Sequence, residues 1–506
     1  MLPPVPDLDD YGISSKHGFL PEEPPLEALG HPYYKRWEQV VSNLQALLLS
    51  RRLRQTIETL PIITASRLRE PAEWRRAYVL LSFMTHAYIW GGDRPVEKVP
   101  QSISIPFMQV CNYLELPTVA TYAGVCLWNF KPIFPENGIY NLENLSTLAT
   151  FTGSLDESWF YLVSVAIEAQ GGPTIPLMLD AIKAARENDS LTVIVCLQEF
   201  AEILDELGTL LERMYENCDP HVFYHRIRPF LAGSKNMAEA GLPNGVVFDT
   251  GAGNDDPYVQ YGGGSNAQSS LIQFFDIILG IEHRPTGSHK SSDSSTDSEV
   301  EGPTPRPSNH GFIYEMRSYM PGPHRRFLQD VSSVANIREY VECHRSNHTL
   351  SVAFDACLFM LRSLRDKHIR LVSRYIIVKS RESRSHARSF SPRSAPNNQP
   401  EPVNLASAST HKTQRTENPR AGAKKLRGTG GTALIPFLKQ ARDETGEPAV
   451  DAWAKRILSN GPPELAGEPR GFALGKVGEH ADGELEIVGL AGVWRMDDSE
   501  GGLCHW

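Results

Sequence analysis

The sequence predicts a mostly all-α fold, on two observations. Apolar residues recur at spacings of three and four along most of residues 34–378. Strand-like alternation and hairpin signals are scarce over the same span. Taken in order, "YKRWEQVVSNLQALLLSRRLRQTIETL" (34–60) and "EWRRAYVLLSFMTHAYIWG" (73–91) carry apolar stripes of helical period, which bury one face. Segments 157–170, 174–187, 191–217, 268–282, 324–342 and 349–378 repeat the pattern. Two segments interrupt it. Residues 283–310 are rich in Ser, Pro and acid and cannot bury enough apolar surface to offset ordering entropy, so a flexible loop is expected. Residues 380–425 are basic and rich in Ser, Arg, Asn and Pro, and read as a flexible linker. Residues 461–506 are Gly-rich with little helical pattern, and an irregular C-terminal extension is expected there.

Composition narrows the class. The chain has 506 residues, 41% apolar and 22% charged, as in a globular protein of two to four domains. A formal net charge of −10 gives no footprint for nucleic acid or an anionic membrane. No run approaches ~20 uninterrupted apolar residues, so no spanning helix is expected. The start, "MLPPVPDLDDYGISSKHGF", lacks the basic and apolar regions of a secretory signal. Seven scattered cysteines without a CxxC read as free thiols in a reducing, cytoplasmic setting.

Four stretches could carry chemistry. In 349–378 the positions Cys357, Leu361, Leu364, Leu371 and Tyr375 form a buried stripe, and His368 stands on it where a leucine would be ordinary. A core histidine and a ligand are both open. Arg365 lies one turn back, about 4.5 Å along the axis. Imidazole, apolar wall and a cation at its edge suit haem and its propionate. In "GGGSNAQSSLIQFFDIILGIEH" (262–283) the glycines would let backbone approach a flat ligand. No GK[ST] follows a strand there, which argues against a nucleotide. Asp276 sits among apolar residues and needs a partner such as Arg365. In "GTGGTALIPFLKQARDET" (428–445), Thr429 and Thr432 open an amphipathic helix, as a cap or as a mobile lid. In "DPHVFYHRIRPFLAG" (219–233), Phe223, Tyr224 and Arg228 could hold an aromatic amino acid, rings for stacking and guanidinium for the carboxylate.

Together these stretches resemble the indoleamine 2,3-dioxygenase family. "GFLPEEPP", "AYIWGG", "SISIPFMQVCNYLELP", "FYLVSVAIEAQ", "GGGSNAQSSLIQFFDIILGI", "RSYMPGPHRRFL", "LRDKHIRLVSRYI" and "GTGGTALIPFLKQARDET" occur in family order. The insertions and the extension are similar to those of fungal members. The resemblance implies a small helical N-terminal domain (1–140) packed on a larger helical haem domain (141–460). It implies haem b with His368 as the proximal iron ligand, the only metal site expected, and Arg365 and Asp276 as an ion pair behind it. It matches Phe223 and Arg228 to residues that grip the indole and the carboxylate. Tyr122, Phe160 and Ser164 match the distal pocket, Ser265 the loop beside the haem, and Thr429 a loop near the substrate ammonium. Tyr224, where many members have phenylalanine, and Asn266 depart from the pattern. His221 and His225 are read as outward or structural.

The implied reaction joins L-tryptophan and O2 into N-formyl-L-kynurenine, the entry to the kynurenine pathway toward NAD. An external electron donor keeps the iron ferrous, the pocket has no distal acid–base group, and the protein is a monomer without membrane or nucleic-acid partners. A haem-binding regulatory or low-activity paralogue and a cofactor-free scaffold are the alternatives.

Overall fold

The computed structural model describes residues 3–253, 256–286, 311–380 and 434–458, and three strands between 477 and 495. The loop and linker expected at 283–310 and 380–425 lie almost wholly outside the described residues, and Thr429 lies outside them too.

Helices dominate, as the sequence predicts. The first apolar stretch breaks into α1 (Lys35–Ser42), α2 (Leu44–Leu49) and α3 (Leu53–Glu58). The break between α2 and α3 has a local cause: Arg51 takes a left-handed φ of 58°, which ends a helix. Then come α4 (Pro71–Trp90) and α5 (Gln101–Leu114). A capping box between Glu70 and Glu73 starts α4, with Pro71 at its first position. The second half is built on α6 (Leu155–Gly171), α7 (Thr174–Arg186) and α8 (Ser190–Glu212). It continues through α9 (Ser270–Ile278), α10 (Gly322–Val334), α11 (Ile337–Cys343) and α12 (His348–Val372), and closes with α13 (Leu434–Thr445) and α14 (Ala452–Leu458). Long α8 and α12 pack along each other, with the Cys357 thiol 3.1 Å from the Leu197 carbonyl. One contiguous apolar core runs from Ile13 to Leu458.

The Leu155–Arg186 stretch passes a membrane-span test by length and composition, but 72% of its most apolar window is buried inside this fold. Six cysteines among the described residues are free thiols.

Two short sheets brace the first half, one of which pairs Lys98–Val99 parallel to Val246–Val247–Phe248 through Val247 and Phe248. A third sheet corrects the sequence reading. Within the extension expected to be irregular, Val477–Glu479, Leu485–Gly489 and Gly492–Arg495 form an antiparallel three-stranded sheet. The reason is local. "LEIVG" and "GVWR" are β-branched and aromatic runs, and Gly489 pairs with Gly492 across a two-residue connection.

Candidate active site

A cavity opens between α6, α9, α12, α13 and the 120–127 segment. Its walls are mostly apolar, including Ile167, Ile272, Leu364, Ile369, Phe437 and Leu438. Of the residues expected to form a site, His368, Arg365, Asp276, Tyr122 and Ser164 all reach this one cavity.

His368 enters from α12 on the stripe that also buries Leu361, Leu364 and Leu371. Its ring has no hydrogen-bond partner among the described residues. Burial, and then the nearby Arg365 charge, bring its pKa down to about 4. At neutral pH it therefore presents a neutral imidazole with a lone pair. Arg365 is fixed one turn away. Its Nη2 donates to Asp276 Oδ1 at 2.6 Å and Oδ2 at 2.8 Å, and Nη1 reaches the Ala441 carbonyl at 3.3 Å and the Thr445 hydroxyl. Asp276 is the buried carboxylate that needed a partner. Its pKa is lowered because the Arg365 and His283 charges outweigh burial.

The opposite wall carries hydroxyls. The Tyr122 OH and the Ser269 hydroxyl both donate to Glu168 Oε1, at 3.0 and 2.6 Å. The other oxygen, Oε2, is buried with no partner. Burial raises Glu168 to about 7 against the pull of those two donors. The sequence reading missed Glu168, although its spacing of four from Ser164 puts both on one face of α6. The lining itself holds no histidine or glutamate opposite His368, but this titratable carboxyl stands one layer behind.

Other expected residues fall elsewhere. Phe160, Phe223, Tyr224 and Arg228 form an adjoining cluster that is not part of the cavity lining. Phe160 and Phe223 rings lie 4.7 Å apart, and the Arg228 guanidinium sits 5.5 Å from the Tyr224 ring centre. A π-helical stretch, Phe223–Ile227, turns Phe223 and Tyr224 inward together. Arg228 is 1% exposed, and burial lowers its pKa. His221 is exposed, His225 is half-buried, and their rings lie 4.4 Å apart. Ser265 caps the short Asn266–Gln268 turn through Ala267 N rather than facing the cavity. Asn266 and Ala267 line it instead.

Within the glycine-rich loop, Gly263 packs closely against backbone. A Cβ on Gly263 would collide with the Leu231 carbonyl, and one on Gly233 with the Tyr261 carbonyl. Gln268 then ties the loop to the wall. Its side chain accepts from Tyr122 N at 2.9 Å and donates to the Gly263 carbonyl at 2.9 Å.

This is the class of protein the geometry defines: a helical fold enclosing an apolar cavity, with one neutral histidine as its donor and a paired cation beside it. Known proteins make the class particular. The family model for indoleamine 2,3-dioxygenase matches residues 7–448. The chain is 40% identical over 468 residues to an indoleamine 2,3-dioxygenase of Penicillium citrinum, covering 90% of this chain and 93% of that one. It is 40% identical over 451 residues to the indoleamine 2,3-dioxygenase of Saccharomyces cerevisiae, covering 87% and 93%. A 6-hydroxytryptophan 2,3-dioxygenase of Fusarium equiseti is 36% identical over 441 residues, covering 87% and 97%. The chain belongs to the indoleamine 2,3-dioxygenase family. It is an oxidoreductase, a dioxygenase of a haem-dependent family that acts on tryptophan-like indoles.

The residues present fit that cofactor. A partner-free neutral imidazole is the donor that haem iron takes. The apolar walls suit a porphyrin face, and Arg365 is a fixed cation at their edge.

Proposed function

We propose that this chain inserts both atoms of O2 across the indole C2–C3 bond of L-tryptophan, giving N-formyl-L-kynurenine. The observation that carries the reading is the partner-free His368 imidazole in an apolar cavity. Bound haem b supplies the redox-active iron that makes O2 reactive toward the indole. His368 would hold it, with Arg365 as the propionate partner and Asp276 keeping Arg365 in place.

The rest is positioning by this chain's side chains. Phe223 and Phe160 pack on the indole, Arg228 pairs with the substrate carboxylate, and Ser164 and Tyr122 set the polar edge of the distal wall. Thr429 keeps the role that the resemblance implies, beside the ammonium, and Ser265 orders the loop next to the cavity by capping its turn. Apolar walls exclude water, so the two oxygen atoms stay with the substrate. Among the described residues the lining holds hydroxyls but no other histidine and no glutamate, which suits a reaction that does not release water. An external donor supplies the reducing equivalent, and the unit is a monomer in the cytoplasm. The product places the enzyme at the start of the kynurenine route toward NAD.

The test is turnover of tryptophan in 18O2 by the haem-loaded, reduced protein. N-formylkynurenine carrying both labelled atoms is expected. A haem-loaded protein that forms no product would favour the regulatory paralogue, and turnover of 6-hydroxytryptophan alone would move the substrate to the ring-hydroxylated class.

A further inference from the structure

The chain leaving α9 turns back on itself and delivers a histidine to the far side of the Arg365–Asp276 pair. Gly280 takes a φ of +63°, and its N–H and that of Ile281 bond back to the Ile277 and Asp276 carbonyls at 3.1 and 2.9 Å. This is a glycine-terminated helix end, which "DIILGI" specifies in sequence. Three residues on, His283 lies between two buried carboxylates. Its Nε2 is 3.0 Å from Asp276 Oδ2, and its Nδ1 is 2.7 Å from Glu444 Oε2. Asp276 and Glu444 are 4% and 3% exposed. A neutral imidazole has one N–H and can satisfy only one of them. Both ring nitrogens facing carboxylate oxygens calls for the imidazolium, the form that donates to both.

Glu444 has a second reason to need that cation. It stands in the last turn of α13, the negative end of the helix dipole. Arg365 and Arg362 donate to carbonyls of the same end, at Ala441 and Arg442. Helix α13 in turn supplies Phe437, Leu438 and Ala441 to the cavity wall. A single alternating line of charge, Arg365, Asp276, His283, Glu444, Arg284, Glu447, thus runs from the cavity outward.

We propose that His283, as an imidazolium bridging Asp276 and Glu444, is a positioning residue that holds α13 against the His368 side of the cavity and so sets how long the cofactor stays bound. The retention clause rests on the haem reading above; the clamp on α13 does not.

The charge states around it are consistent. The Asp276 and Glu444 carboxylates, with their hydrogen bonds, raise the His283 pKa against burial and the Arg365 charge. Asp276 and Glu444 are lowered. Facing this group are Asp276 from α9, Arg365 from α12, Glu444 from α13, Glu282 and Arg284 from its own segment, Glu447 beyond α13, and Arg317, which feels the Asp276 charge. For a base whose folded pKa is raised, the stabilisation is whole below its ordinary value and is lost as pH rises through the raised one. The carboxylates act in the opposite sense, and their share is lost as pH falls through their depressed values. The clamp is therefore firm at mildly acid pH and loosens on the alkaline side.

The experiment follows α13 directly in the purified holoprotein. Deuterium exchange of the peptide covering 434–445, corrected for intrinsic chemistry, is measured at about pH 6 and about pH 8.5, below and above the ordinary imidazole value. Haem loss to excess apomyoglobin is measured in parallel. Both should be at least about tenfold faster for the wild type at the higher pH, the direction expected when a buried charge loses its partner. His283→Gln should be fast at both. The double variant His283→Gln/Glu444→Gln, which removes the stranded carboxylate, should be slow again and indifferent to pH. Wild-type behaviour in His283→Gln, or a double variant as loose as the single or unable to fold, overturns the proposal. A protein that takes up no haem overturns the reading of function, while exchange of 434–445 still decides the clamp.

Discussion

Replacing Glu168 by Gln should stabilise this protein, and only at neutral and alkaline pH. The carboxyl is wholly buried, and burial moves it from an ordinary 4.5 to about 7. Keeping it ionised in the folded state therefore costs about 3 kcal/mol. The sign follows from proton binding. The folded protein holds a proton on Glu168 that the unfolded chain has released above pH 4.5, so stability falls as pH rises from 4.5 to about 7 and is level beyond. Glutamine keeps the oxygen that accepts from Tyr122 and Ser269 and removes the charge. The assay is a denaturant transition of both proteins at about pH 5 and about pH 8.5, bracketing that range. The Gln variant should gain up to about 3 kcal/mol at the higher pH and almost nothing at the lower. A variant destabilised equally at both values would refute the reasoning and give Glu168 a purely structural part.

Two further outcomes follow from the aromatic cluster beside the cavity. The Tyr224 hydroxyl is buried without a partner among the described residues, so Tyr224→Phe should be neutral or stabilising by about 1 kcal/mol in thermal unfolding. A clear loss would mean the hydroxyl is held. Arg228→Ala should lower kcat/KM for tryptophan by about tenfold to a hundredfold, the worth of one charged hydrogen bond. Tryptamine, which lacks the carboxylate, should show no comparable drop; equal losses for both would remove the carboxylate role.

What the sequence carried, and what it hid, divides by range. The helical stripe of 349–378 put His368 on a buried face, because burial on a helix is a periodic, local property. Asp276 among apolar residues demanded a cation, and Arg365 supplies it. Glu168 and His283 were hidden because their meaning lies in partners up to 161 residues away. The π-helical turn that buries Phe223 and Tyr224 together has no 3.6-residue signature either. At Gly263 local sequence signalled close approach, and the packed chain shows the Leu231 carbonyl as one neighbour. In the extension, counting glycines obscured two short β-branched and aromatic runs.

The central claim is that His368 holds haem in the cavity. Its most direct test is the visible spectrum of the haem-supplied wild type beside His368→Ala, each freed of loosely bound haem. The wild type should keep a Soret band that shifts on reduction, and the variant should lose it while folding as well as its parent. A variant that retains its haem with an unchanged spectrum would contradict the assignment.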